Sequence, residues 1–173
     1  MKHLLHLSCA AALSLSAFTG SAHADLNDGL IAHWTFDDGT ARDVTGNGHD
    51  GSFHDGAGTT TGVDGLGAYF PAWDDYVRVP HHNDLNLTGD FSVAFWTQLD
   101  DWNSPGSVNG RFLDKHSAGQ NSAGWTMGIN DVGNIFTIGW GVADGPRVGS
   151  TPAAISQDEL VHVTWTASQS EGK

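Results

Sequence analysis

Apolar and polar residues alternate along this chain in short stretches, and each stretch is cut off by glycine, aspartate, asparagine or proline before a helix could form. The clearest case runs from Phe91 to Leu99, where Phe91, Val93, Phe95 and Thr97 share one side and Ser92, Ala94, Trp96 and Gln98 the other. Successive side chains of a strand point to opposite faces, so a period of two builds a half-buried strand. Leu30 to Phe36, Ala68 to Phe70, Asp75 to Val79, Arg111 to Lys115, Trp125 to Asn130, Ile135 to Trp140 and Leu160 to Thr166 are further candidates. Turn dipeptides separate them at Asp38-Gly39, Asn47-Gly48, Asp64-Gly65, Asn109-Gly110 and Asp144-Gly145. Only Ser156 to Val161 could start a helix, of about one turn. About eight to ten short strands at this spacing predict an all-β, two-sheet antiparallel jelly-roll sandwich rather than alternating βα units.

Charge narrows the partners. Twenty Asp and Glu against seven Lys and Arg give a formal net charge of −13 at pH 7. Phosphate binding needs clustered Lys and Arg, so nucleic acid is excluded as a partner, and anionic lipid with it. Glu159 and Glu171 are the only glutamates; every other acid is Asp, a residue of turns and metal loops. Glycine, at 23 of 173 residues, is near twice the usual share of about 7% and fits turn-rich β structure.

The first 24 residues read as a secretory signal. Lys2 and His3 precede an apolar run from Leu4 to Phe18, and Ser21-Ala22-His23-Ala24 offers small residues at a cleavage site. That run is shorter than the roughly 20 residues that span a bilayer, so no membrane insertion is expected. Residues 25–173 then make one domain that is secreted, periplasmic or held at the cell surface. The single cysteine, Cys9, leaves with the signal, so no disulfide is expected in the remainder.

Five segments in order carry a family resemblance: Gly29 to Asp37, Asp43 to Gly51, Phe70 to Pro80 with Asp75-Tyr76-Val77, Leu85 to Trp96, and Leu160 to Trp165. Together they resemble the laminin-G-like members of the concanavalin A-like lectin/glucanase jelly rolls. The resemblance implies that closing strands pairing with the first strand are missing after Lys173. It also implies a role in recognition, and in many members one structural calcium ion between the acidic end of the first strand and the following turn. Here that nominates Asp37 or Asp38, with Asp43 and Asn47.

The residues themselves leave two readings of that turn open. Asp43, Thr45, Asn47 and Gly48 stand at relative positions 1, 3, 5 and 6, the opening of a calcium-loop spacing, but position 12 is His54 rather than Glu. Alternatively the segment is a tight turn in which Asp43 bonds its own backbone. The expected metal set is Asp37, Asp43, Asn47 and Gly48, holding a structural calcium.

Adjacent His81 and His82 point apart on extended chain and so fail as a zinc pair. Catalysis is not expected: the glucanase pattern E-x-D-x-x-E cannot be built from Glu159 and Glu171, and G-x-S-x-G is absent. Trp34, Trp96 and Trp165 lie within strands and are expected in the core. Trp102, flanked by Asp101 and Asn103, is the candidate for stacking on a sugar. An extracellular glycan or glycoprotein is the expected partner; the alternatives are an adhesive or structural protein-interaction domain of a larger extracellular protein and, further off, a glycoside-acting enzyme.

Overall fold

A computed structural model of the chain describes residues 27–87, 89–100, 109–116, 124–130, 133–139, 147–149 and 154–168. The described residues from Ile31 onward belong to one compact unit. Among the described residues of this unit ten strands follow in order: β1 (Ser52–His54), β2 (Gly58–Thr61), β3 (Leu66–Tyr69), β4 (Tyr76–Arg78), β5 (Phe91–Thr97), β6 (Asn109–His116), β7 (Gly124–Asn130), β8 (Ile135–Gly139), β9 (Arg147–Gly149) and β10 (Val161–Ala167). The fold is all-β. Every ladder is antiparallel: β1 with β4, β2 with β3, β5 with β10, and the four-stranded order β6-β7-β8-β9. Among the described residues there is no α-helix, only a 3-10 turn at Asn83–Leu85.

The period of two is realised most fully in β5 and β10. Val93 faces Trp165 across the ladder, Phe95 faces Val163 and Thr97 faces Val161. These residues turn inward, while Ser92, Ala94 and Trp96 on β5 and His162, Thr164 and Thr166 on β10 are exposed. The inward side packs on the four-stranded sheet. Val163, Met127, Ile129 and Ile155 are buried together, with Phe95, Phe112, Leu113, Ile135, Val161 and Trp165 packed around them. Phe95 meets Phe112 with ring centroids 5.2 Å apart, and Phe91, Trp125 and Trp165 form a second aromatic group at 4.9–6.4 Å. Full burial of an apolar side chain contributes about 1.5–3 kcal/mol, so each of the four buried members of this two-layer contact stabilises the domain by that order. β7 is buried from Trp125 to Ile129 on both faces, as a central strand must be.

Three expectations from the sequence need correction. Leu30 to Phe36 alternates well but joins no ladder; the segment makes one isolated bridge, Trp34 to Asp43. Its polar groups bond to the turn instead: His33 N donates to Asp43 Oδ1 at 3.0 Å, His33 O accepts from Val44 N at 2.9 Å, and Ile31 O accepts from the Asn47 side chain at 2.9 Å. Phe36, at φ 64°, then breaks the extended path. Asn109-Gly110 is not a turn but the start of β6, where Gly110 pairs with Ile129. A Cβ on Gly110 would stand 3.2 Å from the Ile129 side chain, so this glycine serves close packing. Ser156 to Val161 forms turns rather than a helix, with Asp158 at φ 58° and its N–H bonded to Leu99 O at 2.9 Å.

Candidate functional site

The turn after the first extended segment is organised around one carboxylate. Asp43 is 2% exposed. Its Oδ1 accepts from His33 N at 3.0 Å, Thr45 N at 3.0 Å and Thr45 Oγ1 at 2.7 Å, and its Oδ2 accepts from His49 N at 3.2 Å. Burial pushes this carboxyl up, but the four donors outweigh it and hold the group down at about 2. The Asp43 N–H in turn donates to Asp50 Oδ1 at 2.8 Å. Gly46 and Gly48, at φ 81° and 87°, let the chain reverse in the left-handed region that a Cβ disfavours. Asp43 is an anionic hub for backbone and hydroxyl donors, as a tight turn in which Asp43 bonds the backbone requires.

The hub also sets the position of His49, which is pinned through its main chain by its own N–H on Asp43 and by the Trp34 Nε1 donor on its carbonyl at 2.8 Å. Its side chain is fully buried, and neither ring nitrogen has a hydrogen-bond partner. A buried polar group left unpaired costs about 1–3 kcal/mol. Across from it lies the 3-10 turn, tied to β7 by the Trp125 indole, whose Nε1 donates to Leu85 O at 2.9 Å. This turn brings up Asp84, whose Oδ2 is 3.7 Å from His49 Nε2 and 3.2 Å from His82 Nδ1. The two imidazoles meet edge to face with centroids 4.7 Å apart. Among the described residues, His49, His82 and Asp84 are the one group of three or more His, Cys, Asp or Glu with donor atoms within 4.8 Å of one another. His81, next door in sequence, points elsewhere and contacts Lys115 Nζ through Nδ1 at 2.6 Å.

The residues expected to cage calcium make contacts of their own within the fold. Asp37 is exposed, and its Oδ1 accepts from Leu66 N at 2.9 Å, capping the β2–β3 hairpin. Asp38 binds the Thr40 hydroxyl at 2.6 Å and N–H at 2.9 Å, which hold its carboxyl below the ordinary value. Asn47 turns its amide nitrogen to Ile31 O, and Gly48 serves the chain reversal. Calcium asks for six to eight oxygens around one point. Here the Asp37, Asp38 and Asp43 carboxylates each accept from N–H or O–H donors of the fold. Trp102, Asp101 and Asn103, the expected sugar contacts, lie outside the described residues.

A second surface was missed by the expectation that strand tryptophans lie in the core. Trp96 projects outward from β5 and is 54% exposed. His162, directly opposite on β10, stands beside it with ring centroids 5.0 Å apart. Ser92 lies opposite Thr166 and Ala94 opposite Thr164, giving hydroxyls and one methyl on the same face as the indole. The alternation had already put Trp96 on the side of Ser92 and Gln98, a signal that hydrophobicity alone overrides. Trp165, on β10, and Trp34, outside any strand, are partly buried rather than in the core, and Trp125 is buried.

Comparison with curated proteins and with solved structures returned no match. A family model described as the concanavalin A-like lectin/glucanases superfamily, of laminin-G type, matches residues 71–173. That span runs from before β4 through β10 and includes His82, Asp84, Trp96 and His162; the opening segments, Gly29 to Asp37 and Asp43 to Gly51, precede it. The match covers more than half of the chain and accords with its antiparallel ladders: the chain belongs to the laminin-G-like branch of the concanavalin A-like lectin/glucanases superfamily.

Proposed function

We propose that the chain is an exported, non-catalytic recognition module that binds carbohydrate or glycoconjugate on the outward face of β5 and β10. The observation that carries this is Trp96, half exposed near the end of β5 and flanked across the ladder by His162. An indole held rigid by a sheet offers an apolar plate to the C–H face of a pyranose, and its contacts need little ordering of the protein. The Ser92, Thr164 and Thr166 hydroxyls along the same face supply donors and acceptors for sugar hydroxyls. A surplus of acid over base favours neutral or cationic glycans over sulfated ones. Trp102, Asp101 and Asn103, a few residues beyond β5 in sequence, are the candidates for extending the plate. No calcium is part of the proposal, because Asp43 spends its oxygens on the turn. The absence of any E-x-D-x-x-E pattern supports the non-catalytic role.

A protein ligand is the competing possibility, and one observation favours it. Tyr69, Phe70, Trp73 and Tyr76 are all 45% or more exposed within eight residues, with Trp73 at 93%. A glycan array run on the chain and on Trp96→Ala, beside a pull-down run on the chain and on Trp73→Ala, separates the two. Glycan binding lost in Trp96→Ala supports the sugar platform. An empty array with a protein captured through Trp73 would replace it.

A further inference from the structure

We infer that His49, His82 and Asp84 form a binding site for a divalent transition-metal ion, zinc in the first instance. The donor set is two imidazole nitrogens and one carboxylate oxygen, which zinc accepts readily and calcium does not. Zinc holds such ligands at about 2.0–2.2 Å in a tetrahedron, which sets neighbouring donor atoms about 3.3 Å apart. Asp84 Oδ2 already stands 3.2 Å from His82 Nδ1 and 3.7 Å from His49 Nε2, and one donor atom from each residue lies within 4.8 Å of the others. The remaining closure falls to the His82 and Asp84 side chains, which are 49% and 56% exposed and can turn without disturbing the core. His82 Nδ1 gives up only a long contact from Asp84 N, at 3.4 Å, to take the ion.

A second and independent observation points the same way. His49 is fully buried, yet both of its ring nitrogens lack a partner, while its main chain is fixed by Asp43 and Trp34. A metal at Nε2 gives that buried nitrogen a partner. Three protein ligands, two of them on half-exposed side chains, leave the fourth position to solvent or to an incoming ligand atom. The ion would join two segments 33 residues apart, the turn built on Asp43 and the 3-10 turn held by Trp125. The orienting contacts around the ligands, Trp34 to His49 O and Trp125 to Leu85 O, are of the kind that tune metal affinity from the second layer.

The test uses the whole chain, stripped with chelator and then titrated with Zn²⁺ by calorimetry, with Co²⁺ as a spectroscopic probe of tetrahedral ligation. One zinc ion per chain is expected, with a melting temperature raised by about 5–10 °C at a hundredfold excess over the dissociation constant. Ca²⁺ at the same concentration should leave melting unchanged. His82→Ala and Asp84→Asn, both on half-exposed side chains, should each weaken zinc by at least about tenfold and alter the cobalt spectrum. His54→Ala, on a histidine that stacks on Tyr76 instead, should bind zinc as the parent does. His49→Gln should also abolish binding, but the two exposed variants decide the matter should it fail to fold. Absence of zinc binding, or full affinity retained in either His82→Ala or Asp84→Asn, would overturn the inference.

Discussion

Replacing Asp43 by Asn removes one charge and one acceptor while leaving shape nearly unchanged, so its cost measures how far the turn rests on that carboxylate. The Asn oxygen can keep the three donors on Oδ1, from His33 N, Thr45 N and Thr45 Oγ1. The amide nitrogen then replaces Oδ2 and faces the His49 N–H, donor against donor, where a 3.2 Å bond had been. Hydrogen bonds to a charged group contribute about 1.5–3 kcal/mol, and an unsatisfied buried donor costs about 1–3 kcal/mol. The carboxyl sits at about 2 against an unfolded value of 3.8. At 1.36 kcal/mol per unit that shift alone amounts to about 2.5 kcal/mol, reduced to roughly 1–2 kcal/mol because the turn lies close to solvent. Asp43→Asn should therefore destabilise by about 2–4 kcal/mol, a loss of about 6–12 °C in melting temperature for a domain of this size. The pH dependence has a definite sign. A depressed carboxyl contributes stability that is complete above about pH 5 and is lost as pH falls through about 2. Urea unfolding of both proteins at pH 7, 5, 4, 3 and 2 should show a gap that is constant down to about pH 5 and shrinks below pH 4. A variant within about 0.5 kcal/mol of the parent at pH 7, or a gap that widens in acid, would refute the hub.

Gly48→Ala adds a Cβ that meets nothing within 4 Å, so its whole cost is conformational; at φ 87° it should lose about 1–2 kcal/mol in urea unfolding. Phe95→Ala opens the contact with Phe112 and should cost about 3 kcal/mol in the same assay. Trp96→Ala, on the outward face of the same strand, should cost no more than about 1 kcal/mol in stability while abolishing glycan binding on the array. Trp125→Phe keeps the ring but loses the bond to Leu85 O; it should lower stability by about 1 kcal/mol and weaken zinc about tenfold, read by calorimetry.

The strands that carry the two-layer core were legible because their alternation is long and clean. Phe91 to Thr97 and Val161 to Ala167 announce one wet and one dry face, and the structure pairs them residue for residue. Leu30 to Phe36 shows that alternation is not sufficient: a strand also needs a neighbour's backbone, and this segment gives its hydrogen bonds to a turn. β1 and β2 escaped notice because Ser52–His54 and Gly58–Thr61 are short and polar, with no apolar period to read. Asp43 was legible as a special residue, since an Asp opening a Gly-Asn-Gly turn must either bind a metal or bond the backbone, and the choice between them is geometric. The His49, His82 and Asp84 cluster was not legible. Its members are separated by 33 residues, and only the folding of two turns against each other brings them together. Asp37 failed as a partner of Asp43 for the converse reason, having been recruited by the Leu66 N–H 29 residues away.

The most direct test of the two-layer arrangement is thiol labelling of single cysteines placed one at a time at 92 to 96 on β5 and at 163 and 164 on β10, in a Cys9→Ser chain. Labelling should be fast at positions 92, 94, 96 and 164 and slow at 93, 95 and 163, a strict alternation in phase with the burial of Val93, Phe95 and Val163. Uniform rates, or fast labelling at 93 and 95, would mean that these strands do not cover a common core, and the fold and the outward Trp96 platform would fall with them.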